Sequence, residues 1–94
     1  MKHLQTQISD GIATITMRRG KVNALNEELV VELSTQLHEL TYSESVRAVV
    51  IAGSGGFFSF GFDIPEFRGY TKPNFMRFLY KFTSLYTDIF TYPK

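Results

Sequence analysis

The chain has 94 residues, 44% of them hydrophobic and 20% charged, which suits one folded core and is too short for two, since a domain usually takes on the order of 100–150 residues. Ten Lys and Arg against nine Asp and Glu leave a net charge of +1, so there is neither a basic field for nucleic acid nor an acidic tail. The lack of cysteine excludes disulfides, thiolate metal sites and a cysteine nucleophile, and makes a reducing, cytoplasmic setting the default expectation.

The opening Met1-Lys2-His3-Leu4-Gln5 turns polar at once, and no stretch approaches the ~20 apolar residues of a membrane span. Neither a signal peptide nor an anchor is expected. Leu4, Thr6 and Ile8 alternate with polar residues, Ser9-Asp10-Gly11 supplies a turn, and Ala13, Ile15 and Met17 alternate again, which predicts an antiparallel hairpin. Asn26 caps a predicted helix with Glu27 and Glu28 in its first turn and Leu29, Val30, Leu33, Leu37 and Leu40 on its inner face. Arg47-Ala48-Val49-Val50-Ile51-Ala52 is apolar on both faces, as a strand buried between two layers would be. Strand, helix and strand make a βαβ unit with an expected right-handed crossover.

Gly53-Ser54-Gly55-Gly56 follows at the carboxyl end of that strand, where open α/β sheets place their ligands. From Phe57 onward lie all nine Phe and four of the five Tyr. A last helix is expected from about Pro73-Asn74, carrying Phe75, Phe78, Leu79, Phe82, Leu85, Tyr86, Ile89 and Phe90 at helical spacing. So aromatic a stripe needs a partner surface. Arg77 and Lys81 lie four apart on its polar side, a pattern shared by an interfacial membrane helix and by one packed on a protein core; core packing is the expectation.

The segment Phe57-Phe58-Ser59-Phe60-Gly61-Phe62-Asp63-Ile64-Pro65-Glu66 carries the most specialised backbone chemistry. Gly61 allows a sharp turn with its next amide exposed. Asp63 caps a short helix with Pro65 in its first turn and Glu66 placed to reach back as in a capping box. Two readings stand side by side: a capped helix after a tight turn, or free amides forming an anion or oxyanion site. Other motifs fail. The glycines at 53, 55 and 56 lack the Lys-Ser/Thr ending of a phosphate loop, and Ser59, lacking glycine on one side, is a turn serine and not a nucleophile elbow. His3 and His38 look like isolated surface residues, so no metal site is expected.

These residues, in this order, resemble the enoyl-CoA hydratase/isomerase (crotonase) family. The resemblance rests on Asp10-Gly11-Ile12-Ala13-Thr14-Ile15-Thr16-Met17, Asn23-Ala24-Leu25-Asn26, Val46-Arg47-Ala48-Val49-Val50-Ile51-Ala52-Gly53 and Phe58-Ser59-Phe60-Gly61-Phe62-Asp63-Ile64. It implies an α/β fold, the amino-terminal part of a crotonase-like spiral of ββα units in a single domain, with the hairpin and βαβ unit followed by the aromatic helix. It implies an acyl-CoA thioester as substrate, with no separate cofactor, and a homo-oligomer. The thioester oxygen would accept from the backbone amide of Phe62, aimed by Gly61. CoA would lie against Ala24, Phe60, Asp63 and Ile64, with Arg19 and Lys21 as phosphate partners. The chain departs from the family in carrying Phe60 and Phe62 where small residues are usual, and Gly20 in place of proline. The family's second oxyanion amide and its acid/base carboxylates fall beyond Lys94, and Glu66 is explained as a helix-cap residue. The leading expectation is the amino-terminal part of an acyl-CoA-processing enzyme of hydratase or isomerase type. The alternatives are a non-catalytic CoA-binding or interaction module and a membrane-surface helix protein.

Overall fold

The computed structural model describes all residues from Met1 to Lys94. Strands β1 (Leu4–Ser9) and β2 (Ile12–Met17) form the hairpin, with Leu4 opposite Met17 and Ser9 opposite Ile12. Asp10 and Gly11 turn the chain with φ of 52° and 80°, the paired left-handed conformation that matches strand twist. Helix α1 (Glu27–Thr41) crosses to β3 (Ala48–Gly53), which pairs parallel to β2 from Ile12↔Ala48 to Met17↔Gly53. The sheet order is β1-β2-β3. A single turn of helix, α2 (Ile64–Phe67), and the long α3 (Lys72–Phe90) complete the chain.

Binary patterning decides where the core sits. Ala13, Ile15 and Met17 of β2 and Leu29, Val30, Leu33, Leu37 and Leu40 of α1 are all buried, in one cluster with Leu4, Val46, Phe78 and Leu85. Fully burying a large side chain such as Ile15 or Phe78 is worth roughly 1.5–3 kcal/mol. Arg77 and Lys81 face α1, where both bond Glu27 (2.7 and 2.9 Å). The polar edge of α3 is thus an interhelical seam, in keeping with core packing.

The structure departs from the sequence pattern in four places. The two-faced apolar strand is β3, an edge strand without a buried residue, whose Val50 is 46% exposed; nothing within residues 1–94 covers its second face. Ile8 is exposed although its cross-strand partner Ala13 is fully buried. Helix α3 begins at Lys72, one residue before the expected Pro73, because the Thr71 side chain accepts the Asn74 amide. Its stripe is buried only in part: Phe78 and Leu85 are interior and Phe75, Leu79 and Phe82 pack against the core, whereas Tyr86 and Phe90 are exposed.

Candidate functional site

Two segments distant in sequence meet beyond the carboxyl ends of β2 and β3. Leu25 and Phe62 form an isolated parallel bridge: the Leu25 amide donates to the Gly61 carbonyl (2.7 Å), and the Asp63 amide to the Leu25 carbonyl (2.9 Å).

Three residues shape the approach to this bridge. Asn23 is fully buried with φ of 51°, a left-handed conformation that asparagine tolerates. Its Oδ1 accepts from the Arg19 amide (2.9 Å), and its Nδ2 donates to the Phe57 carbonyl (3.1 Å). Ser59 Oγ donates to the Asn23 carbonyl (2.7 Å) and accepts from the Gly61 amide (3.0 Å), so it is indeed the turn serine. Gly53 lets the following loop fold back, since a β-carbon there would sit 2.4 Å from the Phe57 carbonyl oxygen.

The consequence falls on Phe62. Of the five amides from Phe60 to Ile64, four donate within the chain, to Val22 O, Ser59 Oγ, Leu25 O and Phe62 O; the Phe62 amide has no acceptor. Gly61 has φ of 88°, and a β-carbon there would meet nothing within 4 Å, so glycine is required by conformation and not by space. The Gly61–Phe62 peptide is trans, so with its carbonyl held by Leu25 its N–H is aimed the opposite way.

Asp63 Oδ1 caps α2 by accepting from the Glu66 amide (3.1 Å), while Oδ2 takes Arg19 Nη1 (2.8 Å). The Arg19 guanidinium, opposed by burial and helped by the Glu66 amide, holds the Asp63 carboxyl below its usual range. Two expectations change here. The capping box is half formed, because the Asp63 amide is taken by Leu25 and the Glu66 carboxylate accepts instead from Asn26 Nδ2 and the Tyr70 hydroxyl. The amides at the start of α2 are also occupied, and the free donor stands just ahead of the cap, at Phe62.

Arg19, Lys21, Ala24, Phe60, Phe62, Asp63 and Ile64, all named from the sequence, line one open cleft of about 560 Å³. Arg19, expected beside Lys21 as a phosphate partner, has Nη1 on the Ala24 carbonyl and Asp63, which leaves Lys21 as the exposed cation. The bulk at position 62 is absorbed by α3: the Phe62 ring stands edge-on to Phe78 and Phe82 at centroid separations of 5.6 and 4.9 Å. Phe60 instead pairs with Phe57 and stays 64% exposed. Beside this aromatic group, Leu25, Phe58 and Phe82 help wall an apolar cavity of about 110 Å³.

Sequence reasoning missed the Asn23 side chain as the hub of the site; its only signal was an asparagine in a loop that needs left-handed backbone. It also misjudged His3. That imidazole is only 13% exposed and pairs with Glu28, and the His3 amide donates to Glu32 (2.9 Å). The start of β1 lies along α1, so His3, Glu28 and Glu32 bring their ligand-type atoms within 4.8 Å of one another, where an isolated surface histidine was expected.

The model of the enoyl-CoA hydratase/isomerase family matches residues 7–94. A 4-chlorobenzoyl coenzyme A dehalogenase from an Arthrobacter species is 40% identical over 65 residues, covering 68% of this chain and 24% of that protein. The enoyl-CoA hydratase of Bacillus anthracis superposes with a TM-score of 0.90 at 19% identity, over 98% of this chain and 37% of its own. The carnitinyl-CoA dehydratase of Mycobacterium thermoresistibile gives 0.89 at 23%, over 100% and 29%. These two likenesses establish the fold. The chain spans about a quarter of the length of curated relatives such as that dehalogenase.

Proposed function

The chain belongs to the enoyl-CoA hydratase/isomerase family, and from that premise we propose that its cleft holds an acyl-CoA thioester and polarises the carbonyl through the Phe62 amide. The observation that carries this reading is the unpartnered Phe62 N–H, fixed by bonded neighbours on both sides. Such a donor binds an oxygen more strongly as negative charge builds on it, so it favours the enolate over the ground state. Lys21 supplies a cation for CoA phosphate at the rim, backbone at Ala24, Phe60, Asp63 and Ile64 follows the nucleotide, and the apolar cavity beside Phe82 takes hydrocarbon.

Proton transfer is a separate matter. Asp63, the one carboxylate lining the cleft, is committed to Arg19, and Glu66 beyond it bonds Asn26 and Tyr70. Adding water or shifting a double bond therefore needs a carboxylate that this cleft does not supply. The chain by itself should bind crotonyl-CoA and give no turnover in an absorbance assay. Isotope-edited infrared spectroscopy of bound [1-13C]crotonyl-CoA should show the carbonyl stretch moved to lower frequency. Activity that stays with the chain through repurification would overturn the first expectation. Binding with an unmoved carbonyl would replace polarisation by the second reading, a CoA-binding module.

A further inference from the structure

Resting on that reading, we infer that Arg19 is a positioning residue: its guanidinium joins the Ala24 carbonyl to the Asp63 carboxylate and so holds the Phe62 amide at its angle. Ahead of Gly61 the two segments are tied by Phe60 N to Val22 O and Ser59 Oγ to Asn23 O, but from Gly61 onward the backbone is linked by two hydrogen bonds alone, Leu25 N to Gly61 O and Asp63 N to Leu25 O. Two bonds of a parallel bridge leave freedom to hinge. Arg19 Nη1 spans the gap with 2.8 Å bonds to each side, and Nη2 stands 3.5 Å from Glu66, which brings the first turn of α2 into the same grip. Asn23 fixes the root of the arginine by accepting its amide.

Charge favours a clamp over a phosphate ligand. The one guanidinium already faces two carboxylates that neutralise it, which leaves Lys21 and not Arg19 as the cation open to a phosphate. The pair is also largely withdrawn from water, with Arg19 and Asp63 side chains 20% and 16% exposed, and the planar guanidinium sets Nη1 on two acceptors and Nη2 toward a third, directions that an ammonium does not fix.

The test compares wild-type chain with Arg19→Gln and Arg19→Lys. Hydrogen exchange without ligand reads the clamp: Arg19→Gln should speed exchange of the Leu25 and Asp63 amides at least tenfold, while core amides such as Ile15 stay unchanged. Arg19→Lys, which keeps the charge but loses the fork, should fall between and guards against a variant that fails to fold. Infrared difference spectra with bound [1-13C]crotonyl-CoA read the consequence: Arg19→Gln should lose most of the carbonyl shift while the Kd changes less than threefold. A tenfold weaker Kd with the shift intact would make Arg19 a phosphate ligand and overturn the inference, as would unchanged exchange at Leu25 and Asp63. A wild-type chain that binds without any carbonyl shift, yet shows the exchange effect, would overturn the donor role of Phe62 and reduce Arg19 to a structural tie.

Discussion

Gly61 and Phe62 adjoin in sequence but do different work, and substitution should separate them. Gly61→Ala adds a β-carbon to open space, so its cost is that of forcing a side chain into left-handed backbone, about 1–2 kcal/mol. The turn should relax and misdirect the amide; loss of an oxyanion donor typically costs ~100- to 1000-fold in rate. Phe62→Ala keeps the amide and removes a ring that packs on Phe67, Phe78 and Phe82 yet leaves the residue 38% exposed, so it should cost less than the roughly 1.5–3 kcal/mol of a fully buried side chain. Melting curves and the carbonyl shift together should separate the two: both variants lower Tm modestly, but Gly61→Ala loses the shift and Phe62→Ala keeps it. The reverse pattern would make the side chain the working part. These positions were legible because glycine and a capping aspartate advertise backbone geometry locally. Asn23 and Arg19 were not legible in these roles, because their partners lie on loops that only the tertiary fold brings near.

At the scale of the elements, the seam between α1 and α3 is electrostatic where it faces water. Glu27 receives Arg77 and Lys81 and is held down to about 2 from an ordinary 4.5, chiefly by the Arg77 bond and then by that from Lys81. A carboxylate depressed in the folded state contributes stability that is present above its unfolded value and is lost as pH falls through its folded one. The contribution should therefore be whole above about pH 4.5 and fade toward pH 2. Glu27→Gln should lower Tm slightly at pH 7 and leave the two proteins converging in acid; a Tm difference constant from pH 7 to pH 2 would rule the seam out. Both arginine and lysine are substantially exposed (52% and 39%), so the effect should weaken with salt. The elements themselves were legible: each rests on a periodic apolar pattern with a cap or turn at its end. The edge position of β3 was not, since an apolar strand looks the same in sequence whether or not its second face is covered.

For the molecule as a whole, only 14 of 94 residues are buried, and the radius of gyration is 13.7 Å where about 12 Å is usual for this length. Val50, Phe58, Phe60, Ile64, Tyr86 and Phe90 are all exposed, more apolar surface than a lone monomer ordinarily carries. The isolated chain should self-associate at micromolar concentration, and a single monomeric species by sedimentation velocity with a cooperative melt would contradict this. The bridge between Leu25 and Phe62 carries a different consequence. Its two sides flank α1 and β3, so the cleft exists only while the entire crossover between them is closed. Acyl-CoA should accordingly act as a folding ligand, taken up by the native state and ignored by the unfolded chain. At one hundred times Kd such a ligand adds about 2.7 kcal/mol of stability, and Tm should climb with the logarithm of acyl-CoA concentration.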